Sequence, residues 1–547
     1  MSRASSDKPH YYYPGTETAR PSTIECDICI YGATSAGVTA AVQAAKAGKK
    51  VALVAFGRNI GGMTTSGLSA TDTGNTHVIG GLSREFYRET GARYGKEEAW
   101  LFEPHVASGI YRKWLEENHV PVYLEHRLTD VETSAERIVS IKTNRVVTFK
   151  ALVFIDAGYE GDLMAQSGVS YRVGRESDSA YTELFNGIQY GHHHHFLRFV
   201  DPYERPGDPK SGLLPGVSDM PLGTQGNGDN LIQAYNFRLC LTRSRNNKVP
   251  FWKPDDYEPR RYELLRRYIE TGIFDIFNLN RQIPGGKTDY NNWGAVNSDY
   301  IGGNYGWPEG DYDERERIYQ DHVRYQMGML YFLANDPRLP RKVRAATRVW
   351  GLAADEFTET SNWPPELYVR EARRMISDYV ITEHDSFGQV RPDDSIGMAT
   401  YRMDSHNCKR VVYAGRAVNE GNVEVSPLDP MPISYRAIRP KRNECRNLLV
   451  PVCLSASHIA YGTVRMEPVF MILGQAAAVA ACLAIDKCEG IVQDVDAAEL
   501  RRRIEQAGII TEEPDVDEKK RNPRGGRLPQ RQPGNTTEQA VEELVSA

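Results

Sequence analysis

The N-terminal part of the chain shows the clearest pattern of apolar and polar positions. Residues 26–31 form a short apolar run typical of a buried strand, and residues 38–47 are alanine-rich with their apolar positions at helical spacing. Gly48 ends this helix, and residues 51–56 form a second apolar run. A glycine-containing turn, residues 32–37, joins the first strand to the helix. The pattern therefore predicts a strand–turn–helix–strand unit.

The turn in this unit has the residues of a phosphate-binding turn, with two departures. Gly32 permits a tight turn and Gly37 lets the helix pack closely on the sheet, while the helix N-terminus offers free N–H groups to a pyrophosphate. Thr34 stands where the second glycine of G-x-G-x-x-G is usual. Ala55 and Phe56 replace the acidic residue expected to bind the ribose hydroxyls. The unit predicts a dinucleotide site, and an ordinary α/β unit with a glycine turn is the alternative.

The segment after the second strand, residues 58–67, has the sequence RNIGGMTTSG. Paired glycines and small hydroxyl residues allow the backbone to approach a bulky planar ligand closely. Flavoproteins of the glutathione-reductase type need such a segment at this point, whereas NAD dehydrogenases do not. The segment therefore favours FAD as the dinucleotide.

Several segments together resemble the FAD-dependent oxidoreductase family of two-dinucleotide-binding-domain flavoproteins, some members of which are labelled xanthan lyase. The similarity begins with residues 58–67, 70–72 and 79–87. It continues through the sequence IDAGYEGD at 155–162, QAYNFR at 233–238, and residues 287–289, 291–292, 368–374 and 448–481. It covers nearly the whole chain between about residues 23 and 490.

The resemblance implies an α/β fold with a Rossmann-like FAD-binding domain that is discontinuous in sequence. Residues 23–170 and 437–510 form its two parts, residues 171–436 are a large inserted α+β substrate domain, and residues 511–547 are a disordered tail. FAD is the implied cofactor. A helix starting near Glu467 and Pro468 is expected to point its N-terminus at the flavin. The cofactor-binding candidates are Gly32, Thr34, Ser35, Ala36, Gly37, Arg58, Gly61, Gly62, Met63, Thr64, Ser66, Gly67, Ala157, Gly158, Asp162, Glu467 and Gly474.

Two histidines with nearby acidic residues are the leading catalytic candidates. A histidine with a carboxylate partner can take a proton from a hydroxyl or amine while hydride leaves the carbon. His406 lies in the sequence DSHN, and His458 lies in a predicted loop, residues 455–462, before the last apolar helix. Tyr435 and Arg465 are supporting candidates that would polarise the substrate or the flavin.

The candidate substrate-binding residues are His193, His195 and Arg370. Four histidines occupy positions 192–195, and on a strand at most two of them would share one side. Lining of the substrate site, metal binding, and a surface role remain open for this tract, and no metal site is predicted. Residues 370–374 have helical spacing, so Arg370 would clamp an anionic substrate or the flavin, or belong to a solvated helix face.

Composition narrows the class of protein without identifying its substrate. Among 547 residues, 66 Lys and Arg against 72 Asp and Glu give a net charge of −6, which argues against nucleic-acid binding. No apolar run approaches the roughly 20 residues of a membrane span, and the N-terminus lacks a signal-peptide pattern. Eight cysteines are too sparse for a disulfide scaffold. We therefore expect no membrane partner and a cytoplasmic location.

These observations predict an FAD-dependent oxidoreductase acting on a small polar organic substrate, namely an alcohol, a sugar or an amine. Substrate hydride would pass to flavin N5, and oxygen, a quinone, NAD(P) or another acceptor would reoxidise the flavin. The alternatives are a polysaccharide carbon–oxygen lyase, an FAD-dependent monooxygenase, and a flavin-binding protein without catalysis. Whether the chain forms a homo-oligomer is left open.

Overall fold

In a computed structural model, the predicted strand–turn–helix–strand unit is present, and its two strands belong to the middle of a seven-stranded sheet. The structure describes residues 8–13, 20–191, 193–273, 279, 281–426 and 429–513. Its central strand, β1, pairs in parallel with β2 on one side and β6 on the other. The strands of this sheet are β1 (Ser22–Tyr31), β2 (Val51–Val54), β3 (Val122–Tyr123), β4 (Leu128–Ser134), β5 (Arg137–Thr143), β6 (Val147–Asp156) and β20 (Leu448–Leu449).

The order of strands explains how both ends of the chain contribute to one core. Five strands run parallel in the order β3, β2, β1, β6 and β20, and the antiparallel pair β5 and β4 extends the sheet from the first half of β6. Leu448 and Leu449 of β20 pair with the last residues of β6. The mixed α/β fold with a parallel, Rossmann-like core is therefore confirmed. The domain boundaries remain predictions, and most of the predicted tail, residues 514–547, lies outside the described residues.

The described part of the chain contains twelve α-helices, of which α1 and α11 pack on each other and on the first sheet. The longest apolar helix, α11, packs along α1, where Thr39 donates a hydrogen bond to the Met471 carbonyl at 2.8 Å. The helices are α1 (Ser35–Lys46), α2 (Gly81–Arg93), α3 (Pro104–Glu117), α4 (Asp162–Gln166), α5 (Asp178–Tyr181), α6 (Glu263–Glu270), α7 (Tyr312–Asn335), α8 (Arg341–Arg348), α9 (Glu383–Ser386), α10 (His458–Val464), α11 (Glu467–Lys487) and α12 (Ala497–Gln506).

The part of the sequence between β6 and β20 forms a second, five-stranded sheet and four short two-stranded ladders. The second sheet has the order β10, β11, β8, β12, β9, and all its pairs are antiparallel. The remaining pairs are β7 with β13, β14 with β19, β15 with β18 and β16 with β17. These strands are β7 (Tyr171–Arg172), β8 (Leu239–Thr242), β9 (Lys248–Val249), β10 (Gln282–Ile283), β11 (Lys287–Tyr290), β12 (Gly351–Ala353), β13 (Arg374–Met375), β14 (Ser395–Ala399), β15 (Met403–Ser405), β16 (Lys409–Tyr413), β17 (Arg416–Glu420), β18 (Val423–Val425) and β19 (Met431–Ser434).

Two local predictions are wrong. Residues 370–374 are not helical but run in extended or irregular backbone into β13, and Arg370, Arg373 and Arg374 are buried rather than solvated. Each of these arginines pairs with a carboxylate far away in sequence, which the local spacing does not reveal. The predicted loop at 455–462 contains the first turns of α10, which Ser457 caps by accepting a hydrogen bond from the Ala460 N–H.

Helix α11 is the one helix of the described residues that is long and apolar enough to cross a membrane. Of its most apolar 18-residue window, 94% is buried inside the fold. Its small residues allow close packing, because a side chain at Gly474 would lie 2.1 Å from the Ala36 carbonyl oxygen. Helix α11 is therefore a core helix.

Candidate functional site

A cavity of about 720 Å³ lies at the carboxyl ends of β2 and β6, and we call it the strand-end cavity. Parallel sheets bind ligands at this edge, at the point where the strand order reverses. Residues 56–59 follow β2 into the cavity, and Tyr159 and Glu160 follow β6. The rest of the lining comes from three further segments, namely residues 10–13, 104–112 and 355–369, together with Thr65 and Trp307.

The glycine turn beside this cavity has a backbone that only glycine fits. Gly32 has φ +106°, and a side chain there would lie 2.5 Å from the Gly158 nitrogen, next to Ala157. A side chain at Gly37 would lie 1.9 Å from the Gly32 carbonyl oxygen. Thr34 caps α1 by accepting a hydrogen bond from the Gly37 N–H, and its hydroxyl donates to the Ala157 carbonyl at 2.7 Å. Thr34 therefore has a capping role that the glycine pattern did not indicate.

The second glycine segment returns to the same turn. The Gly61 N–H donates to the Ala33 carbonyl at 2.7 Å, and Gly62 lies against Thr34 and the Tyr159 hydroxyl. The Met63 N–H donates to that hydroxyl at 2.9 Å. The two glycine segments predicted to bind the cofactor thus lie side by side, with Ser35 and Ala36 buried in the first turn of α1.

Glu467, the first residue of α11, is a buried carboxyl at this junction. It accepts hydrogen bonds from the Tyr159 hydroxyl and the Thr64 hydroxyl, each at 2.7 Å. Burial raises the pKa of Glu467 above its ordinary value, although the hydrogen bonds partly oppose this. The N-termini of α1 and α11 therefore face one region.

The other cofactor candidates fall into three environments. The Arg58 side chain is 45% exposed, lines the strand-end cavity and donates to Glu125 at 2.8 Å. Gly67 packs on the Arg238 backbone, and Ser66 accepts a hydrogen bond from Asn59 at 2.9 Å. Asp162 and Gly474 are not among the residues that line either of the two cavities described here.

Asp162 is instead engaged by two arginines. Its carboxylate oxygens lie 2.6 Å from Arg315 and 2.8 Å from Arg373. Burial favours a raised pKa for Asp162, but the charge and hydrogen bonds of Arg315, followed by those of Arg373, outweigh burial and lower it. Gly161, rather than Asp162, stands at the cap position of α4.

A second cavity, of about 540 Å³, is lined by histidines, and we call it the histidine-lined cavity. Of the predicted substrate residues, His193 and His195 line it, and His194 lies between them in the lining too. The expectation that at most two of these histidines share one side is wrong, because the segment is not a strand and His194 has φ +57°. The remaining lining residues are Asp72, Leu197, Arg238, Tyr268, Arg281, Asp289, Asn291, Asn292, Trp293, Gly294, Tyr368, Tyr401, Arg402, Asp404, His406, Glu424 and Arg465.

The charged side chains that line this cavity are paired one to one. Four arginines and four carboxylates line it, and each arginine contacts one carboxylate. The charges of the pairs balance, so the lining carries no excess of fixed charge when its histidines are neutral. The pairs are Arg238 with Asp289 at 2.6 Å, Arg281 with Asp72 at 2.9 Å, Arg402 with Glu424 at 2.6 Å and Arg465 with Asp404 at 3.0 Å.

His406 is held by a carboxylate on each side of its ring. Its Nδ1 atom lies 2.7 Å from Oδ2 of Asp299, and its Nε2 atom lies 3.7 Å from Oδ2 of Asp404. Arg370 contacts the other oxygen of Asp299 at 3.0 Å. Burial favours a raised pKa for Asp299, but the charges of Arg370 and His406 outweigh burial and lower it. Asp299 is therefore an anion that fixes the His406 ring.

Asp404 is the second carboxylate beside His406. Burial again acts to raise its pKa, but the hydrogen bond and charge of His406 and the charges of Arg465 and Arg402 lower it well below its ordinary value. Arg465 also donates to the Tyr368 hydroxyl at 3.0 Å. Of the predicted catalytic residues, His406 and Arg465 are thus brought together in one cavity.

His458 and Tyr435 are not among the residues that line this cavity. His458 is buried, with Nδ1 at 2.8 Å from Glu371 and Nε2 at 3.0 Å from the Ser405 hydroxyl. Gln233 bridges the two histidines, because it donates to Glu371 and accepts from the His406 backbone N–H. The structure thus places His458 against Ser405, the last residue of β15, next to His406 in the chain but outside the cavity. The Tyr435 hydroxyl donates to the Val492 carbonyl at 2.7 Å.

In the described part of the chain, one group of side chains has the spacing of a metal site, namely Glu103, His105 and Glu356. The ammonium of Lys287 already lies 2.8 Å from Glu103 and 2.6 Å from Glu356, so a cation is present among these carboxylates. Histidines 193–195 form no such group, and His192 lies outside the described residues.

Several residues in and around this cavity were missed by the sequence analysis, and for three of them the reason can be stated. Asp299 is 107 positions from His406 and no local pattern connects them. Arg238 and Asp289 did occur in two of the segments that carry the family resemblance, and that signal would have identified them. Asp289 also accepts hydrogen bonds from the Ser69 and Ala70 N–H groups, which ties the second sheet to the loop after Gly67.

Comparisons with known proteins agree with this arrangement at the level of the family. A family model described as FAD dependent oxidoreductase matches residues 27–504. No curated protein matches the chain. Among solved structures, L-amino acid deaminase from Proteus vulgaris is 16% identical, with a TM-score of 0.22, over 30% of this chain and 55% of that chain. Thermovibrio ammonificans THI4 is 19% identical, with a TM-score of 0.22, over 28% and 66%. The chain therefore spans about half the length of the deaminase.

Proposed function

Because the chain belongs to the FAD dependent oxidoreductase family, we propose that it oxidises a small, uncharged, hydroxyl-bearing substrate, an alcohol or a sugar, in the histidine-lined cavity. The His406–Asp299 pair at the wall of that cavity is the observation that carries the proposal. FAD is the cofactor of the family, and when bound it supplies the acceptor for the substrate's hydride.

The residues around the strand-end cavity fit FAD. The cavity lies at the strand ends where a Rossmann fold binds a dinucleotide, and residues of the second glycine segment line it. Arg58, which also pairs with Glu125, places a partly exposed guanidinium there. Arg58, Asn59, Thr65 and Tyr159 would hold the cofactor from the cavity wall. The N-terminus of α1, the positive end of the helix dipole, suits its negative phosphates.

His406 is the proposed general base. Because Nδ1 of His406 donates its proton to Asp299, Nε2 is the atom that takes the proton of the substrate hydroxyl. Arg370 holds Asp299 from behind at 3.0 Å. The His406 ring cannot turn without breaking its contacts to Asp299 and Asp404. As the C–H hydride leaves the substrate, the O–H proton moves to His406 and the carbon–oxygen bond becomes a carbonyl.

The balanced charge of the cavity supports the proposed substrate class. An anionic substrate would add a negative charge that the lining does not balance, because each of the four lining arginines is already paired with a carboxylate. Paired charges still present hydrogen-bond donors and acceptors to hydroxyl groups. Trp293, which is 41% exposed, and Tyr401 add aromatic surface, on which the apolar face of a sugar ring packs well.

Anaerobic mixing of the holoenzyme with a panel of aldoses, polyols, aromatic alcohols, amines and carboxylates tests the proposal. We expect the flavin absorbance band to bleach with a neutral alcohol or sugar, and the His406→Gln variant to bleach far more slowly. Bleaching only by amines or carboxylates would overturn the substrate class. An unsaturated product without bleaching would indicate a lyase, and oxygen insertion that requires NAD(P)H would indicate a monooxygenase; either outcome rejects the proposal.

A further inference from the structure

The short segment of residues 8–13, which precedes the first strand, contributes to the wall of the strand-end cavity. His10, Tyr11 and Tyr13 are lining residues of that cavity. None of them belongs to the glycine segments or to the family match, which begins at residue 27. The cavity is therefore completed by a part of the chain that the dinucleotide-binding motif does not include.

Hydrogen bonds to α7 hold this segment in place. The carboxylate of Glu316 accepts from the Tyr11 N–H at 2.8 Å and the Tyr12 N–H at 3.1 Å, and it lies 2.9 Å from Nδ1 of His10. Gln320 donates to the Pro9 carbonyl at 2.8 Å. Because one carboxylate organises three consecutive residues, the position of the segment depends on Glu316.

The segment brings aromatic rings to the end of β2. The Tyr11 ring centroid lies 4.8 Å from that of Phe56 and 4.8 Å from that of Trp307. The guanidinium of Arg58 lies 3.6 Å from the centroid of the Tyr13 ring. Phe56 occupies the position where a carboxylate commonly binds the adenosine ribose. The departure from the usual motif therefore coincides with a group of aromatic side chains.

We propose that Tyr11, Tyr13 and Phe56 form the adenine-binding wall of the FAD site, so that residues 8–13 bind the cofactor. Three observations support this assignment. A Rossmann fold binds adenosine over the end of its second strand, which is where these rings lie. A purine ring stacks on aromatic side chains, and the guanidinium of Arg58, which lies over one face of Tyr13, adds a positive charge beside these rings. The proposal rests on the family's cofactor and is independent of the substrate.

Calorimetric titration of the apo-protein with FAD, ADP and FMN tests the assignment, because ADP contains the adenosine half and FMN lacks it. We expect Tyr13→Ala to weaken FAD and ADP binding roughly 5- to 100-fold, the range of one lost stacking contact, and to leave FMN binding unchanged. Tyr13→Phe keeps the ring and should bind FAD like the wild type.

A second variant, Glu316→Gln, changes a residue that holds the segment but does not line the cavity. The matched control is a substitution of the nearby Glu314. Glu314→Gln lies on the same helix but its carboxylate pairs with exposed Arg317. We expect Glu316→Gln to weaken ADP binding and to speed FAD dissociation after dilution, with Glu314→Gln unchanged. FAD and ADP affinities that stay within twofold in both Tyr13→Ala and Glu316→Gln, or an equal loss for FMN, would overturn the assignment. Failure to oxidise any alcohol would reject the proposed function alone.

Discussion

Asp299 and His406 approach within 2.7 Å, although they are separated by 107 positions in the sequence and lie on different segments between β6 and β20. The contact fixes which ring nitrogen of His406 faces the cavity. Asp299 can affect the rate of the reaction through His406 only if His406 takes part in the reaction. Substitutions at these two residues therefore test the proposed base directly.

Substitution of His406 should slow the chemistry without removing the cofactor. A positioned general base typically contributes a factor of about 10² to 10⁴, and we expect His406→Gln to slow anaerobic flavin reduction within that range. Asp299→Asn should also slow reduction, because the carboxylate that accepts the Nδ1 proton and orients the His406 ring is gone. Stopped-flow reduction at several pH values measures both. Unchanged rates in His406→Gln with full FAD content would show that another group is the base.

Loss of Asp289 should unfold or strongly destabilise the protein. Asp289 and Arg238 are both buried, and removing one partner of a buried pair leaves an uncompensated charge that costs about 3–5 kcal/mol. Asp289→Asn should therefore lower the free energy of unfolding by that amount in urea titrations. The exposed pair Arg442 with Asp494 is the control, and Asp494→Asn should change it by less than about 1 kcal/mol. Equal effects of the two substitutions would contradict the buried-pair argument.

A methyl group at Gly474 should disturb the contact between α1 and α11. The added side chain would meet the Ala36 carbonyl at 2.1 Å, and overpacking of this kind costs about 1–3 kcal/mol. Because the Ala36 turn begins the predicted phosphate site, we expect Gly474→Ala to lower both Tm and FAD content. Gly109, on the exposed face of helix α3, has nothing within 4 Å of the added atom, and Gly109→Ala should stabilise by roughly 0.5–1 kcal/mol. If Gly474→Ala changes neither Tm nor FAD content, α1 and α11 can move apart at little cost and the overpacking argument is wrong.

Binding of FAD should weaken as the pH rises through neutrality. Burial raises the pKa of Glu160 and of Glu366, both at the strand-end cavity, to about 7. Below pH 7 these carboxyls are mostly neutral, and above it they become anions near a cofactor with negative phosphates. We expect the Kd of FAD to rise roughly fivefold or more between pH 6 and pH 8, about 1 kcal/mol. Glu366→Gln should reduce that slope, and an identical slope in the variant would exclude Glu366 as the cause.

The same carboxyls make the apo-protein less stable at high pH. Their pKa values in the folded chain lie above the ordinary value of 4.5, so the folded state holds protons that the unfolded state has already lost between pH 4.5 and about pH 7. Their contribution to the free energy of unfolding therefore falls over this interval and stays low above pH 7. Urea midpoints of wild type and Glu366→Gln should differ at pH 8 and converge at pH 5.

The sequence predicts the local units of the fold and fails on contacts between distant segments. The turn at Gly32 and Gly37 is encoded within about thirty residues, since glycine spacing and apolar periodicity are local signals. Arg370 and Arg374 look like a solvated helix face because their partners, Asp299 and Glu176, are remote in sequence. The same distance conceals the Asp299–His406 pair. Local spacing does not show which carboxylate neutralises a buried arginine.

The extended segment that carries Arg370 is shared by the two cavities. Leu367 and Val369 line the strand-end cavity, Tyr368 lines the histidine-lined cavity, and Arg370 holds Asp299 behind His406. Because successive residues of extended backbone point to opposite sides, neighbouring positions of this segment line different cavities. If the histidine-lined cavity holds the substrate and the strand-end cavity holds FAD, as proposed, a shift of this one stretch of backbone would alter both sites together.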